Sequence, residues 1–354
     1  LMQGLDEASR SAIAGLLAYP ENTAGAMMTT EFVSVPGDWS VERTLQHIRQ
    51  VERTRETIYA IYVLDPVTRR FMGAVTLRRL ISGEPSALIT TLIPAHAPIT
   101  TFPLIDREDV ARLISKHDLL SVPVLDKAGH VLGIVTVDDI IDAIIEENTE
   151  DVQKFGGMTA TEEPYMQIGM MSMIGKRGGW LCALFLSEML TASAMQHFQD
   201  ELEKALVLTL FIPLIMSSGG NSGSQATSLL IRSLALRDVK LSDWWRVAIR
   251  ELPTGIILGA GLGLIGFVRI ALWQKLGIYN YGEHWQLVGL TVAAALVGVV
   301  TFGSVAGSML PFALQKLGFD PASASAPFVA TLVDVTGLMI YFSVALLILH
   351  GTLL

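Results

Sequence analysis

The chain has 354 residues and a formal net charge of −9, which is divided unevenly: residues 1–165 carry 24 acidic and 14 basic residues, whereas residues 166–354 carry 10 and 11. This division predicts an acidic soluble module followed by a membrane module, and it argues against nucleic acid as a partner. The single cysteine, Cys182, excludes an intrachain disulfide and a thiolate metal cluster, and its apolar surroundings indicate a packing role.

A pattern of strand, turn, strand and helix occurs twice in the first module. Ile58–Asp65 and Phe71–Leu80 form the first copy, and Ser121–Asp126 and His130–Ile140 form the second, at a period of about 61 residues. This pattern resembles a pair of CBS domains. Such pairs are commonly regulatory, so the resemblance indicates sensing without indicating what is sensed.

An acidic helix is predicted to follow the second copy, over residues 138–168. Several of its carboxylates fall within about 120° of one helix face, with like charges at i,i+4 that repel unless something neutralises them. These residues are Asp138, Asp139, Asp142, Glu146 and Glu150. A solvated face is the common explanation of such a run. Because this helix leads into the membrane module, beside Asp106, Glu108 and Asp118, bound Mg²⁺ or Ca²⁺ is the favoured interpretation.

The second module contains five hydrophobic segments that are candidates to cross a bilayer. They lie at Trp180–Met195, which Met170–Ile174 can extend, and at Leu206–Leu234, Trp245–Phe267, Leu287–Leu314 and Phe328–Leu349. If the N-terminus is cytoplasmic, eight Lys and Arg residues flank the spans on the inside and three on the outside. This asymmetry predicts five spans, with the repeats inside the cell and the C-terminus outside.

Small and polar residues interrupt the second segment between Pro213 and Gln225. Small residues let helices approach closely, and Pro213 frees a backbone carbonyl that needs another partner. Tight helix packing would account for the glycines. Asn221 and Gln225 lie one turn apart and are harder to explain in that way, so they favour a wet surface that faces a conduit.

The fifth segment, Phe328–Leu349, has 22 residues and a single charge, Asp334. A charge at this depth costs roughly 2.5 to 3.5 kcal/mol, so it normally faces a bundle interior or water and marks an ion path. The alternative is a protonated or hydrogen-bonded carboxyl between helices. Glu188 adds a carboxylate to the first segment, either as a protonated or interface-level group or as a second cation or proton site.

Several short strings resemble the MgtE family of magnesium channels, and the resemblance extends over essentially the whole chain. The strings are Pro213–Gln225 with its Gly-Gly-Asn core, Ile231–Ala235, Leu310-Pro311, Asp320–Ala322 and Pro327–Gly337. The resemblance implies a multidomain chain, in which a long acidic connecting helix joins α/β tandem CBS domains to an all-α transmembrane domain of five helices.

The family arrangement assigns a range to each part of the chain. The ranges are 1–30 for the last helices of an N-terminal acidic domain, 31–90 and 91–145 for the CBS domains, 138–168 for the connecting (plug) helix and 169–354 for the transmembrane domain. No signal-peptide pattern opens the chain at Leu1, so we expect a fragment of a longer protein that starts in the cytoplasm. Most of the N-terminal domain is expected to be missing.

The resemblance implies a homodimer with a pore on its twofold axis, lined by the second and fifth segments. Asp334 matches the family's selectivity carboxylate, so two copies would hold a hydrated Mg²⁺ with backbone carbonyls such as that of Ala330. Asp320 matches an acidic position near the inner mouth. The other residues expected to line the pore are Gly219, Gly220, Asn221, Gln225, Thr331 and Thr336.

The resemblance also implies that cytoplasmic Mg²⁺ closes the pore by bridging carboxylates of the CBS pair and the connecting helix. The matching acidic positions are Asp106, Glu108, Asp118, Asp138, Asp139, Asp142, Glu147, Glu150 and Asp151. Without most of the N-terminal domain, inhibition by Mg²⁺ is expected to be weaker or to need higher concentrations.

Three departures from the family pattern matter, and one of them is the carboxylate of Glu188 in the first segment. Ala60, Leu119 and Arg79 stand where ATP-binding relatives carry aromatic residues and a ribose-binding aspartate, so no functional ATP site is expected. Ala326 replaces an asparagine near the entrance to the fifth segment, which is expected to alter the vestibule or the ion selectivity.

Two functions remain open at this point. The first is an Mg²⁺-selective, Mg²⁺-gated channel for uptake across the inner (plasma) membrane. The second is a secondary transporter that couples Mg²⁺ or a related divalent cation to Na⁺ or H⁺, which Glu188 favours. An enzyme is not expected, because the sequence shows no nucleophile with a base, no phosphate-cradling loop and no closed transition-metal ligand set.

Overall fold

A computed structural model of the chain describes residues 15–161 and 163–353, except for the side chains of residues 202–204. Residues 1–14 of the expected N-terminal remnant therefore lie outside the described residues. The chain divides into two compact units, Leu1–Glu147 and Asn148–Leu354.

Two copies of one α/β pattern make up the first unit, as the sequence predicts. Its elements are α1 (Ala24–Met27), β1 (Val33–Pro36), α2 (Val41–Val51), β2 (Ala60–Leu64), β3 (Phe71–Thr76), α3 (Leu77–Ile81), α4 (Arg107–Lys116), β4 (Ser121–Leu125), β5 (Val131–Thr136) and α5 (Val137–Phe155), with 3₁₀ turns at Glu52–Thr54 and Ile89–Leu92. In the first copy β1 pairs in parallel with β2, which pairs antiparallel with β3. In the second copy β4 pairs antiparallel with β5.

Each copy buries its own apolar core. Branched residues such as Ile61 and Val75 form the first core, and Val124 and Val135 form the second. Ala24 of α1 packs into the second core. The strands therefore present apolar side chains of the kind that suits a half-buried sheet.

The connecting helix α5 is shorter than the sequence analysis predicts. It ends at Phe155 rather than continuing to residue 168. Gly157 has a φ of +74°, a left-handed conformation that glycine adopts without strain and that commonly ends a helix. Gly156 and Gly157 together are therefore the sequence signal for this end.

Five helices of the described chain are long and apolar enough to cross a membrane, which confirms the predicted number of spans. The helices of the second unit are α6 (Met170–His197), α7 (Gln199–Lys204), α8 (Ile212–Ala235), α9 (Trp244–Lys275), α10 (Trp285–Lys316) and α11 (Ala326–Leu349), with 3₁₀ turns at Leu206–Phe211, Leu241–Asp243 and Pro321–Ser323. Helix α6 begins at Met170, so the predicted extension of the first segment is part of that helix.

Helix α10 is in close contact with two neighbours through glycines. A Cβ atom added to Gly259 of α9 would lie 2.6 Å from the Cα of Val297. A Cβ atom added to Gly303 or Gly307 of α10 would collide with a carbonyl oxygen of α8. These glycines let the helix backbones approach closely, as small residues do at membrane helix interfaces.

We expect Gly307→Ala to destabilise the membrane domain by about 1 to 3 kcal/mol, because overpacking forces backbones apart. Gly261→Ala is the matched control, since Gly261 has no atom within 4 Å of an added Cβ. Thermal melting of both purified variants in detergent measures the difference. Equal melting temperatures would show that the glycine contact does not set the helix spacing.

Candidate ion pathway and cation-binding surfaces

Helices α8 and α11 pack closely around the level of Asp334. A Cβ atom added to Gly220 would lie 3.5 Å from the Cα of Ala330, and one added to Gly337 would lie 3.2 Å from the Sδ of Met216. These two contacts bracket Asp334, which is half-buried. The carboxylate therefore belongs to a part of α11 that is held against α8.

One face of α8 is polar and exposed. Ser217, Asn221 and Gln225 recur every four residues on this face, and we call them the polar stripe. The Asn221 amide donates from Nδ2 to Ser217 Oγ over 3.5 Å. Because Ser217 follows Met216 and Asn221 follows Gly220, the stripe runs beside the contact with α11, at the level of its carboxylate.

The residues predicted to line the pore fall into two groups. The two stripe amides are exposed, whereas Gly219 and Gly220 are buried in helix contacts. Thr331 and Thr336 donate their hydroxyls to carbonyls one turn earlier in α11, at 3.0 and 2.6 Å. The glycines therefore set the helix spacing, while the amides present polar groups outward.

Glu188 lies on α6 beside α11. It lines an open groove of about 680 Å³ together with Thr331, which lies one turn before Asp334 in α11. No residue of α6 is fully buried within the chain. The fold therefore places Glu188 beside the part of α11 that precedes Asp334.

Asp320 lies just before α11 and forms an ion pair with a lysine. Its carboxylate accepts a hydrogen bond from Ala322 N at 2.8 Å and pairs with Lys154 of α5 at 2.5 Å. Lys154 also pairs with Glu150 at 2.6 Å. Burial opposes the charge on Lys154, but the bonds to Asp320 and Glu150 outweigh it and raise the pKa of the ammonium. The sequence analysis does not single out Lys154, although its i,i+4 spacing from Glu150 is a signal for a pair.

Basic side chains also occupy the acidic surface of the second repeat. Arg107 of α4 pairs with Glu146 at 2.9 Å and with Glu147 at 2.8 Å. Arg112 approaches Glu108 to 3.5 Å. Carboxylates expected to hold Mg²⁺ are therefore partly neutralised by arginines of the same unit.

The other predicted carboxylates do not converge on one point. Asp106 and Asp139 accept hydrogen bonds at the starts of α4 and α5, at 2.8 and 2.5 Å, and Asp118 lines a separate cleft. Three further positions lie on partly or fully exposed parts of α5: Asp138, Asp142 and Asp151. Within the described ranges, no three His, Cys, Asp or Glu side chains are grouped to hold a metal ion.

Glu108 is the acidic position whose ionisation is most altered in the first unit. Burial raises its pKa to about 7, with help from the nearby charges of Glu147 and Asp106, while Arg112 opposes the shift. Removing water disfavours the charged form of a carboxyl group, and neighbouring negative charges act in the same direction. A cation bound at this surface would favour the ionised form.

A cavity of about 370 Å³ lies between the two repeats of the first unit. Its lining includes all three positions that depart from ATP-binding relatives, Ala60, Leu119 and Arg79. The Arg79 guanidinium donates from Nη1 to the carbonyl of Leu92 at 3.2 Å. The cleft thus offers two aliphatic side chains and a cation at these positions.

Five candidate spans, a carboxylate in one span at the level of polar amides in another, and a preceding α/β repeat define a multi-pass membrane protein of the ion-transport class. A family model described as MgtE, divalent cation transporter, matches residues 212–344, and a CBS domain model matches residues 92–146. The magnesium transporter MgtE of Thermus thermophilus is 38% identical over 348 residues, which cover 98% of this chain and 74% of the relative. The chain therefore belongs to the MgtE family of magnesium transporters, which are transporters and not enzymes.

A second relative agrees with this assignment. The magnesium transporter MgtE of Enterococcus faecalis is 36% identical over 330 residues, which cover 93% of this chain and 70% of the relative. The crystal structure of the cytosolic domain of the Mg²⁺ channel MgtE in complex with ATP is 37% identical, with a TM-score of 0.38, and the match covers 39% of this chain and 55% of that one. The predicted family and the predicted fold class, tandem CBS domains followed by five membrane helices, are confirmed.

We expect Mg²⁺ to stabilise the full chain more at pH 8 than at pH 6. The folded-state pKa of Glu108 is about 7, above the ordinary value of about 4.3. Glu108 therefore favours folding at low pH, and this contribution is lost as the pH rises through 7. A bound cation offsets the loss only at the higher pH. Thermal melting with and without Mg²⁺ at both pH values measures the difference.

Glu108→Gln should remove this part of the pH dependence, whereas Glu84→Gln, at an exposed carboxylate of the same unit, should retain it. An Mg²⁺-induced shift that is equal at both pH values in the unmodified chain would contradict a role for Glu108 in cation binding.

Proposed function

We propose that the chain is an Mg²⁺-selective, Mg²⁺-gated channel for magnesium uptake, and that its pore carries Asp334 as the selectivity carboxylate. The observation that carries this proposal is the position of Asp334 in α11, at the level of the polar stripe on α8. A charge in a span normally faces water or an ion path, and an adjacent row of hydroxyl and amide groups provides such a surface.

The chemistry of Mg²⁺ favours this arrangement. Mg²⁺ gives up its waters reluctantly and is usually held through one or two carboxylates while it keeps several of them. Asp334 and backbone carbonyls such as that of Ala330 would grip a hydrated ion, and the stripe amides would hydrogen-bond its waters. Oxygen ligands of this kind select by size and hydration, so Mn²⁺, Co²⁺, Ni²⁺ and Ca²⁺ are the ions to compare.

We place the pore on the twofold axis of a homodimer. One chain contributes a single carboxylate, Asp334, to α11, whereas Mg²⁺ is usually held through one or two carboxylates. A symmetric dimer supplies a second Asp334 from the same position. The polar stripe is exposed and no residue of α6 is fully buried in the single chain, which leaves surfaces for a second copy or for lipid.

Regulation by cytoplasmic Mg²⁺ follows from the acidity of the first unit. Asp106, Glu108 and Glu147 lie close enough for their charges to act on one another, and Arg107 and Arg112 neutralise them in part. Mg²⁺ bound to the CBS pair and α5 would relieve the remaining repulsion and favour a closed pore. A differential affinity worth a few kcal/mol is enough to shift such an equilibrium by orders of magnitude.

The proposed orientation places the CBS pair in the cytoplasm and the C-terminus outside the inner (plasma) membrane. The excess of Lys and Arg on the loops of one side supports it.

A coupled transporter is the second candidate, and Glu188 is the observation that favours it. Glu188 lines the same groove as Thr331, one turn before Asp334, from a different helix. Neighbouring carboxylates within a membrane are a common arrangement for a proton or sodium relay. Coupling would make Mg²⁺ flux respond to an imposed Na⁺ or H⁺ gradient.

We expect Asp334→Asn to reduce Mg²⁺ flux into proteoliposomes by about tenfold or more, since losing about 1.4 kcal/mol of ion stabilisation changes a rate by that factor. Glu31→Gln, at an exposed carboxylate of the first unit, is the control and should leave flux unchanged. A channel follows the Mg²⁺ gradient and voltage alone, whatever the internal Na⁺ or pH. Mg²⁺ flux that follows a Na⁺ or H⁺ gradient and is lost in Glu188→Gln would favour the transporter. Undiminished Mg²⁺ flux in Asp334→Asn would show that Asp334 is not part of the pathway.

We expect the chain not to bind ATP in the cleft between its repeats. At Ala60, Leu119 and Arg79 the cleft offers the adenine ring no stacking partner and the ribose no carboxylate, so ATP loses the contacts that aromatic and acidic residues would make at these positions. Tyr59 and Asp118 line the same cleft at other positions. Isothermal titration of the full chain with ATP measures this. Saturable binding that Arg79→Ala weakens would contradict the expectation and assign the cleft to a nucleotide.

A further inference from the structure

Lys154 links two elements that are 166 residues apart in sequence. Its ammonium lies 2.6 Å from Glu150, one turn earlier in α5, and 2.5 Å from Asp320, just before α11. The lysine side chain is 26% exposed, so water screens this trio less than an ordinary surface pair. All three residues belong to the second unit.

Other contacts stabilise the region around Lys154 and Asp320. Trp180 of α6 donates from Nε1 to the Oγ of Ser325 at 3.2 Å, and the fully buried Ser325 caps the start of α11. A Cβ atom added to Gly157 would lie 2.7 Å from Trp180 Nε1 and 3.2 Å from Pro327 Cγ. The end of α5 is thus packed against the start of α11, and we call this contact the α5–α11 junction.

The charges at the α5–α11 junction determine which group can stabilise it. Glu150 and Asp320 approach one point, and two carboxylates there repel each other unless a cation lies between them. A divalent cation would meet that need only when its concentration is high enough. Lys154 is attached to the chain, so its effective concentration at the junction is fixed and independent of cytoplasmic Mg²⁺.

We propose that Lys154 is a built-in cation that holds the α5–α11 junction together when Mg²⁺ is absent. This inference rests on the proposed Mg²⁺-gated channel and concerns how its closure is regulated. Glu150 and Asp320 then bind the lysine rather than Mg²⁺ in this state. The carboxylates of the CBS repeats then provide the Mg²⁺ dependence of gating. Part of the free energy that favours the closed pore remains at low Mg²⁺.

Hydrogen exchange of the full chain in detergent tests the junction without measuring transport. In EDTA, the amides of residues 320–328 should be protected in the unmodified chain and in Lys154→Arg, which keeps the charge. In Lys154→Gln they should exchange about tenfold faster, as expected when a partly buried ion pair loses its cation. Lys316→Gln is the matched control, because it removes an exposed positive charge four residues before Asp320 and should change nothing.

The response to Mg²⁺ provides the sharpest distinction. Added Mg²⁺ should restore protection in Lys154→Gln, where Glu150 and Asp320 become free to share the ion, and should add little to the unmodified chain. Asp320→Asn should lose amide protection in EDTA and should not regain it when Mg²⁺ is added. This is the second variant to use if Lys154→Gln melts at a lower temperature than the unmodified chain. In flux measurements at low internal Mg²⁺, Lys154→Gln should conduct about tenfold more than the unmodified chain.

Two results would overturn the inference: protection in EDTA that survives in Lys154→Gln, or protection that requires Mg²⁺ equally in the unmodified chain and in this variant. Failure of the proposed function is a separate result. It would appear as undiminished flux in Asp334→Asn, whereas exchange in EDTA reports on the junction alone.

Discussion

The Asp334 carboxylate lies in a segment where lipid offers no hydrogen bonds, and a charge there normally faces the bundle interior or water. Glycine contacts made by Gly220, Gly303 and Gly307 bring α8, α10 and α11 together. With this face of α8 fully used for packing, the Asn221 amide is turned outward. The buried glycines and the exposed polar stripe are therefore two consequences of one close packing arrangement.

Basic side chains of the chain itself already neutralise several carboxylates of the acidic helix. Arg107 spans two carboxylates of α5, and Lys154 spans Glu150 and Asp320. Attached cations stabilise a surface to a constant extent, whereas a dissolved cation that binds it stabilises it increasingly as its concentration rises. In the proposed gating, the fixed charges would bring the closed and open states close to balance, and Mg²⁺ would then shift them.

Whether a feature of this protein can be predicted from the sequence depends on how far apart in the chain the interacting residues are. The number of spans and the duplicated α/β repeat follow from local periodicity and are confirmed by the structure. The end of α5 was placed too late, at residue 168 instead of Phe155, although Gly157 with its positive φ marks it. The acidic positions were treated as one class, whereas some of them pair with basic side chains from distant parts of the chain. The contact between Lys154 and Asp320 spans 166 residues, and no local pattern reports it.

The sequence by itself determined which segments enter the membrane, which one carries the charge of Asp334, and that an acidic α/β repeat precedes them. These properties depend on the composition and periodicity of single segments, which lipid and water sort independently of the rest of the chain. Only the tertiary structure decided which face of α8 packs, that Glu188 lies beside Thr331 of α11, and which carboxylates already hold a cation. Those outcomes depend on distances between side chains of different helices, and such distances are set when the helices pack and not before.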